Sequence, residues 1–298
     1  MEKLDLGPNT LLELNKRLIY ARLTGFGQDG PYSKRAGHDI NYLALSGALS
    51  IFTHNKQPVP PMNMLADFAG GGLTCALGIL MALWERSISG TGQVVDCNMV
   101  EGVRYLSSYI WHTKKSELIN QFMWPKSDEK ESNLLDGGAH FYTTYKTKDD
   151  RWVSVGAIEP QFYAELLRVL ELNEDDFPHL EVEKWPLLKE KLAEVFSRRT
   201  LSEWMKLFEN ADACVEPVLE VDEVEKVGQK LMKPHFNSDG TPKPAPLLSR
   251  TPAEPSLVDP EPGEHTLEIL KEHGYSHEQI LQMSKERAVH LGIDGSKL

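Results

Sequence analysis

The sequence predicts an α/β protein carrying a second, smaller α+β domain, and three observations predict it. A strand-like run, LIYARL at 18–23, breaks into the glycine- and aspartate-rich loop GFGQDGPYSKRAG. That is the strand-to-loop edge at which α/β sheets commonly bind ligands. A long apolar stretch at 68–86 repeats at helical spacing. From Leu134 the pattern changes to short alternating strands, HFYTTYKTKDDRWVSVGAIE, with Asp149 and Asp150 at the turn of a hairpin.

Taken in order, residues 1–16 read as a helix before the first strand. The central helix at 68–86 places Leu73, Leu77, Leu80, Leu83 and Trp84 on one face, expected to be buried. QVVDCNMVEG reads as a strand entering a second helix, VEGVRYLSSYIWHTKK. The polar segment 116–132 has no period and reads as a linker. After the hairpin come helices in PQFYAELLRVLEL and around 185–196 and 202–210. A proline-rich arm follows, with closing helices near 266–272 and 276–287. The expected organisation is a large domain at 1–115, a linker at 116–132, a small α+β domain at 133–222, and an arm with terminal helices at 223–298 returning to the large domain.

Composition narrows the function. The formal net charge of −12 offers no basic stripe for nucleic acid or a membrane surface. Cys75, Cys97 and Cys214 have no metal-ligand spacing and cannot form a fully paired disulfide framework. No run approaches the roughly 18 apolar residues of a membrane span. GFG is not followed by a helix at the dinucleotide spacing, which argues against NAD. No metal and no separate cofactor are expected. The C-terminal Ser296, Lys297 and Leu298 spell a peroxisomal address, read by an import receptor.

Chemistry concentrates in 36–93. His38 and Asp67 each sit in a short glycine-flanked segment, and together they suit proton transfer. Asp67 reads as the N-cap of the central helix, where a carboxylate accepts backbone N–H bonds. Alone it reads equally as an ordinary cap, and His38 alone as a structural histidine. The triplet Gly70, Gly71 and Gly72 disfavours helix by roughly 1 kcal/mol each. It implies either close approach of a ligand to the helix N-terminus, with Phe68, Gly70 and Gly71 as an oxyanion cradle, or tight packing against a neighbour.

The segments GHDINYLALSG, NMLADFAGGG, GTGQVVD, LLDGGAHFYTTY and VGAIEPQFY follow one another in this order. The chain thereby resembles the α-methylacyl-CoA racemases of the family III CoA-transferase superfamily along nearly its whole length. The resemblance implies a partial Rossmann-like CoA-binding domain, joined by extended arms to the α+β domain. Full-length members carry further strands and helices ahead of the position of Met1, so this sequence is expected to start partway through the first domain. The implied catalytic set is His38 and Asp67 as the two bases, with Glu159 as the carboxylate partner of His38. Asn63 and Tyr142 are implied as hydrogen-bonding supports of Asp67. Gly37, Asp39, Ile40, Asn41 and Tyr42 are implied to contact CoA, which is part of the substrate.

Glu159 also reads as a charge beside the proline-started helix, and Tyr142 as a half-buried strand aromatic. Met62, Met64, Met81 and Met99 offer an adaptable apolar surface for an acyl chain, although Met81 also reads as core. His140 stands where relatives usually have proline and adds a titratable group near the expected site. The resemblance implies an interlocked homodimer in peroxisomes, with the mitochondrion as a second compartment. Branched-chain fatty acid and bile acid metabolism is the implied role. Two alternatives remain: a CoA-transferase using Asp67 as nucleophile, and a catalytically silent dimerising subunit.

Overall fold

The computed structural model describes residues 1–127, 129–228, 236–254 and 259–292. Contacts divide the chain into one unit at Met1–Val218 and another at Leu219–Leu298. The expected α/β class is observed. In the first unit, α1 (Pro8–Leu14) begins at Pro8, a residue whose fixed φ suits the first helical position. It is preceded by a single 3₁₀ turn at Glu2–Leu4, so the expected helix at 1–16 is broken at Gly7. Strand β1 (Tyr20–Thr24) runs parallel to β4 (Val94–Asn98), with Tyr20 opposite Val94 and Thr24 opposite Asn98.

Between these strands lie α2 (Asp39–Ser46), a small hairpin of β2 (Thr53–His54) and β3 (Gln57–Pro58), a π-helix (Met64–Leu73) and α3 (Thr74–Ser89). Asn55 and Lys56 at the hairpin tip both have positive φ, the turn geometry that matches strand twist. The π-helix and α3 are continuous over 26 residues, Met64–Ser89. By length and composition alone this helix could cross a membrane, which corrects the expectation that no stretch reaches that size. Asp67, Glu85 and Arg86 interrupt any uniformly apolar run in the sequence, while the helix spans them.

The central helix also corrects the expected burial. Its buried positions are Cys75 and Ala82, with Gly78 lying so close to β4 that an added Cβ would stand 2.8 Å from Val95. Leu73, Leu77, Leu80 and Trp84, expected inside, are 66, 55, 62 and 73% exposed. The helical period holds, but the buried face is the small one rather than the leucine face. The sheet beneath α3 selects the small face, because only small residues let helix and strand backbones approach.

The single helix expected at 100–115 is two, α4 (Met99–Leu106) and α5 (Ser108–Lys115). They break at Ser107, whose hydroxyl donates back to the Val103 carbonyl. The segment expected to be a linker contains α6 (Glu117–Met123). Ser116 caps it, and the Trp124 indole donates to Thr113 Oγ1 at 3.0 Å, holding the segment against α5.

The expected hairpin is β5 (Tyr142–Lys146) against β6 (Trp152–Gly156), and a third strand, β7 (Val215–Pro217), extends the sheet antiparallel to β6. Helices α7 (Pro160–Val169), α8 (Trp185–Phe196) and α9 (Leu201–Phe208) cover it. Their apolar stripes form a core around Phe141, Tyr163, Leu166, Leu192 and Phe196. Asp149 ties the hairpin turn to α9 by accepting from the Leu201 amide at 3.0 Å. The unit Leu219–Leu298 contains α10 (Thr266–Glu272) and α11 (His277–Lys285), as expected. Ser296, Lys297 and Leu298 lie outside the described residues.

His140 belongs to the core of the β5–β6–β7 layer and is fully buried. This corrects its expected place beside the site. Its Nε2 lies 2.7 Å from the Tyr163 hydroxyl, which donates its own proton to the Phe177 carbonyl at 2.9 Å. The imidazole therefore carries its hydrogen on Nε2, and Nδ1 has no partner among the described residues. A proton there would be a buried, unpaired charge. Burial, with a lesser effect of His179, pushes His140 down to about 3.

The resulting stability is complete above the unfolded value, near pH 6.5, and is lost progressively as pH falls toward 3, because only the unfolded chain takes up the proton. At about pH 5 the loss through this one group is about 2 kcal/mol. Urea unfolding at about pH 7.5 and about pH 5 will show that difference, and His140→Asn, which keeps a donor for Tyr163, will shrink it by that amount. Equal acid sensitivity in the variant would refute the assignment.

Candidate active site

The site is built where the loop after β1 enters α2. Gly25 and Gly37 seat the Tyr42 ring, since a Cβ at either would stand 2.2 or 2.8 Å from it. The Tyr42 hydroxyl donates to the Gly37 carbonyl at 2.5 Å, and its ring meets Phe26 edge-on at 4.9 Å. Burial and then the neighbouring Asp67 carboxylate push the Tyr42 phenol up, so it stays a neutral donor. His38 stands at the N-cap of α2 with its side chain exposed. Its N–H donates to Asn41 Oδ1 at 3.1 Å, and its carbonyl accepts from the amides of Asn41 and Tyr42 at 2.8 and 3.2 Å.

Asp39 follows, and its side chain is 0% exposed. Oδ2 accepts from the amides of Ala66 and Asp67 at 2.7 and 2.9 Å. These are donors that a helix leaves unsatisfied in its first turn. The π-helix thus begins four residues earlier than expected. Met62 and Asn63, both at positive φ, turn the chain into it, and the Met64 amide bonds the Pro61 carbonyl at 3.2 Å. Asp67 lies in its first turn rather than at its cap, a correction to the expected position. The N-cap is Asn63, whose Nδ2 donates to Asp67 Oδ2 at 3.0 Å.

The structure therefore groups Asp39, Tyr42, Asn63 and Asp67, and His38 stands beside them as the chain neighbour of Asp39. Of the segment expected to touch CoA, Gly37, Asp39, Asn41 and Tyr42 all hold bonds within the chain, while Ile40 is exposed. The expected oxyanion cradle is corrected. Asp39 occupies the amides of Ala66 and Asp67, and Gly70 and Gly71 lie further along, buried against α4. A Cβ on Gly102 would fall 1.8 Å from the Gly70 carbonyl oxygen, and one on Gly70 2.8 Å from the Val103 amide. Tight packing is what these glycines serve, and Phe68 points outward.

Glu159 and Tyr142 sit on the other layer. Glu159 is the exposed N-cap of α7, its carbonyl accepting from Tyr163 N at 3.0 Å, and Tyr142 opens β5 opposite Gly156. Among the described residues no hydrogen bond or ion pair joins either to His38 or Asp67. Nor does any group of three or more His, Cys, Asp or Glu among them stand ready to hold a metal ion. Asp39, which the resemblance assigns to ligand contact, also holds the two helix starts together, a part the sequence reading did not give it. Its signal was its place as the first residue of a helix directly after the histidine.

The model of the CoA-transferase family III matches residues 1–266. The chain belongs to that family. It is 53% identical to the "Alpha-methylacyl-CoA racemase" of Mus musculus, over 97% of this chain and 76% of that protein. The protein of the same description from Homo sapiens is 51% identical over the same shares. "Succinyl-CoA:glutarate CoA-transferase" of Homo sapiens is 31% identical over 91% of this chain and 63% of its own. Among solved structures, a CAIB/BAIF family protein from Brucella suis superposes with a TM-score of 0.70 at 20% identity, over 91% of this chain and 72% of that one. A hypothetical protein from Mycobacterium tuberculosis gives 0.59 at 22% identity, and there the chain spans 61% of the structure's length. Both likenesses describe the fold.

Asp39→Ala removes two charge-assisted bonds and leaves the buried Ala66 amide and the part-buried Asp67 amide without acceptors. It will lower unfolding stability by about 2–4 kcal/mol in urea titration. Asp39→Asn, which keeps one acceptor oxygen, will cost less. A loss below about 0.5 kcal/mol, ordinary for a surface site, would show that the carboxylate does not hold the two helices.

Proposed function

We propose that this chain interconverts the (R) and (S) forms of 2-methylacyl-CoA thioesters by two-base proton transfer at the α-carbon. The observation that carries the reading is the bond from the Asp67 amide to the carboxylate of Asp39, the residue next to His38. It sets a titratable imidazole and a titratable carboxyl on adjoining helix starts. The relatives at 51 and 53% identity bear the racemase name.

In one direction neutral His38 takes the α-proton, the electron pair delocalises into the thioester carbonyl as an enolate, and protonated Asp67 returns a proton to the opposite face. In the other direction the Asp67 carboxylate abstracts and the imidazolium delivers. Asn63 fixes the Asp67 carboxylate through its 3.0 Å bond. In this reading Glu159 and Tyr142 approach when substrate closes the site, Glu159 pairing with the imidazolium. The reading includes a homodimer, CoA held at 37–42, and no further cofactor. It extends to peroxisomal import through the terminal tripeptide and to breakdown of branched-chain fatty acids and bile acid intermediates.

A second reading has support in the 31% identical transferase. There the Asp67 carboxylate, held by Asn63, attacks the thioester carbonyl, expels CoA thiolate and forms a mixed anhydride. It gives His38 no part.

One enantiomer of a 2-methylacyl-CoA, incubated with the chain in deuterated water, will lose configuration as deuterium enters the α-position. His38→Ala and Asp67→Ala will each lower the rate at least about 100-fold, the scale of a lost general acid or base. Acyl exchange between CoA and a free acid without α-deuterium would establish the transferase, and neither reaction from the folded chain would sink both readings.

A further inference from the structure

Two thiols that the proposed reaction does not use meet where the π-helix becomes α3. Cys75 lies in the first turn of α3 and is buried; Cys97 lies on β4, opposite Leu23 of β1, and is half-buried. The Cys75 thiol is hydrogen-bonded to that of Cys97. Cys97 Sγ also stands 3.2 Å from Thr74 Oγ1 and donates to the Gly71 carbonyl at 3.7 Å. Both cysteines are free thiols.

The surroundings hold the pair in place. Thr74 Oγ1 bonds the carbonyls of Gly70 and Gly71 in the last turn of the π-helix. Gly78, one turn past Cys75, seats α3 on β4 so closely that an added Cβ would stand 2.8 Å from Val95, two residues before Cys97. Closing a disulfide draws the sulfurs to about 2.05 Å, a movement that side-chain rotation supplies where the thiols already touch. The third thiol, Cys214, is exposed beside β7 among Asp212, Glu159 and Glu216, and serves as an internal control.

We propose that Cys75 and Cys97 form a modification site at which a hydroperoxide closes a disulfide, locking the start of α3 to β4. Cys97, the more accessible of the two, attacks the outer peroxide oxygen as its thiolate. The O–O bond breaks, alcohol or water leaves, and Cys97 becomes a sulfenic acid. The Cys75 sulfur then attacks Cys97, the S–O bond breaks, and the Cys75 proton departs with the hydroxyl as water. The two thiols lose two electrons and the peroxide gains them. Burial, and then Cys97, push the Cys75 thiol up, so Cys75 keeps its proton until the second step. The bond closes a loop that holds the rest of α3, which restricts the unfolded chain.

The test treats the reduced full chain with hydrogen peroxide, removes the excess with catalase, alkylates remaining thiols in denaturant and maps the tryptic peptides by mass. The expected product joins peptide 57–86 to peptide 87–104 within one chain, is lighter by two hydrogens and reverts with dithiothreitol. Before reversal the chain is expected to melt at least about 3 °C higher than after it. Cys97→Ser and Cys75→Ser each abolish both effects, and if one fails to fold the other carries the test. Cys75 and Cys97 both alkylated after treatment, a sulfinic acid on Cys97 with Cys75 still alkylated, or links through Cys214 alone would overturn the site. An intrachain link that leaves the melting temperature unchanged would overturn the lock.

Discussion

A single buried carboxylate organises this fold. Asp39 has no exposed surface, yet it is placed where a negative charge is welcome, because two amides at the start of the π-helix point at one of its oxygens. An uncompensated carboxylate in that position would cost several kcal/mol. Its Oδ2 ties the first residue of one helix to the first turn of another, while its Oδ1 is buried without a partner among the described residues. His38 is its chain neighbour and Asp67 supplies one of the amides, so the separation of the acid and base candidates is set by the bond rather than by the long connection between them.

The second constraint is the close crossing of the π-helix and α4. Gly70 and Gly102 bring the two backbones together where any Cβ would collide, with Val103 and Met99 of α4 packed beside them. Such a crossing fixes the axial position of Asp67 against the Asp39 latch. The wide register of the π-helix fits this place, since local departures from α geometry commonly accompany functional sites. Past Leu73 the chain returns to ordinary α-helix, and a second small face, Cys75, Gly78 and Ala82, lays α3 onto β4.

The consequence for the apolar residues of α3 is that their period was legible and their direction was not. Leucines and a tryptophan at helical spacing announce an amphipathic helix, but which face is covered depends on what the helix meets. Here it meets a strand at backbone distance, and only the small residues allow that. The same reason hid the purpose of the glycine triplet, which in the sequence is equally a ligand cradle or a packing seat. The linker at 116–132 and the third strand β7 were hidden differently. Seven residues of α6 and three of β7 are too short for any period to show; α6 leans on the adjoining α5, and β7 pairs with the distant β6.

What the sequence by itself determined is the α/β class, the strand entering the glycine loop and the hairpin turned at Asp149 and Asp150. Those follow from local pattern and from residue chemistry, which need no neighbour to be read. The tertiary structure alone decided that Asp39 is a latch, that Asp67 lies inside a helix capped by Asn63, that His140 is a core residue with a suppressed charge, and that α3 buries its small face. Each of these depends on which distant backbone comes within hydrogen-bond or van der Waals reach, and a linear pattern carries no record of that distance.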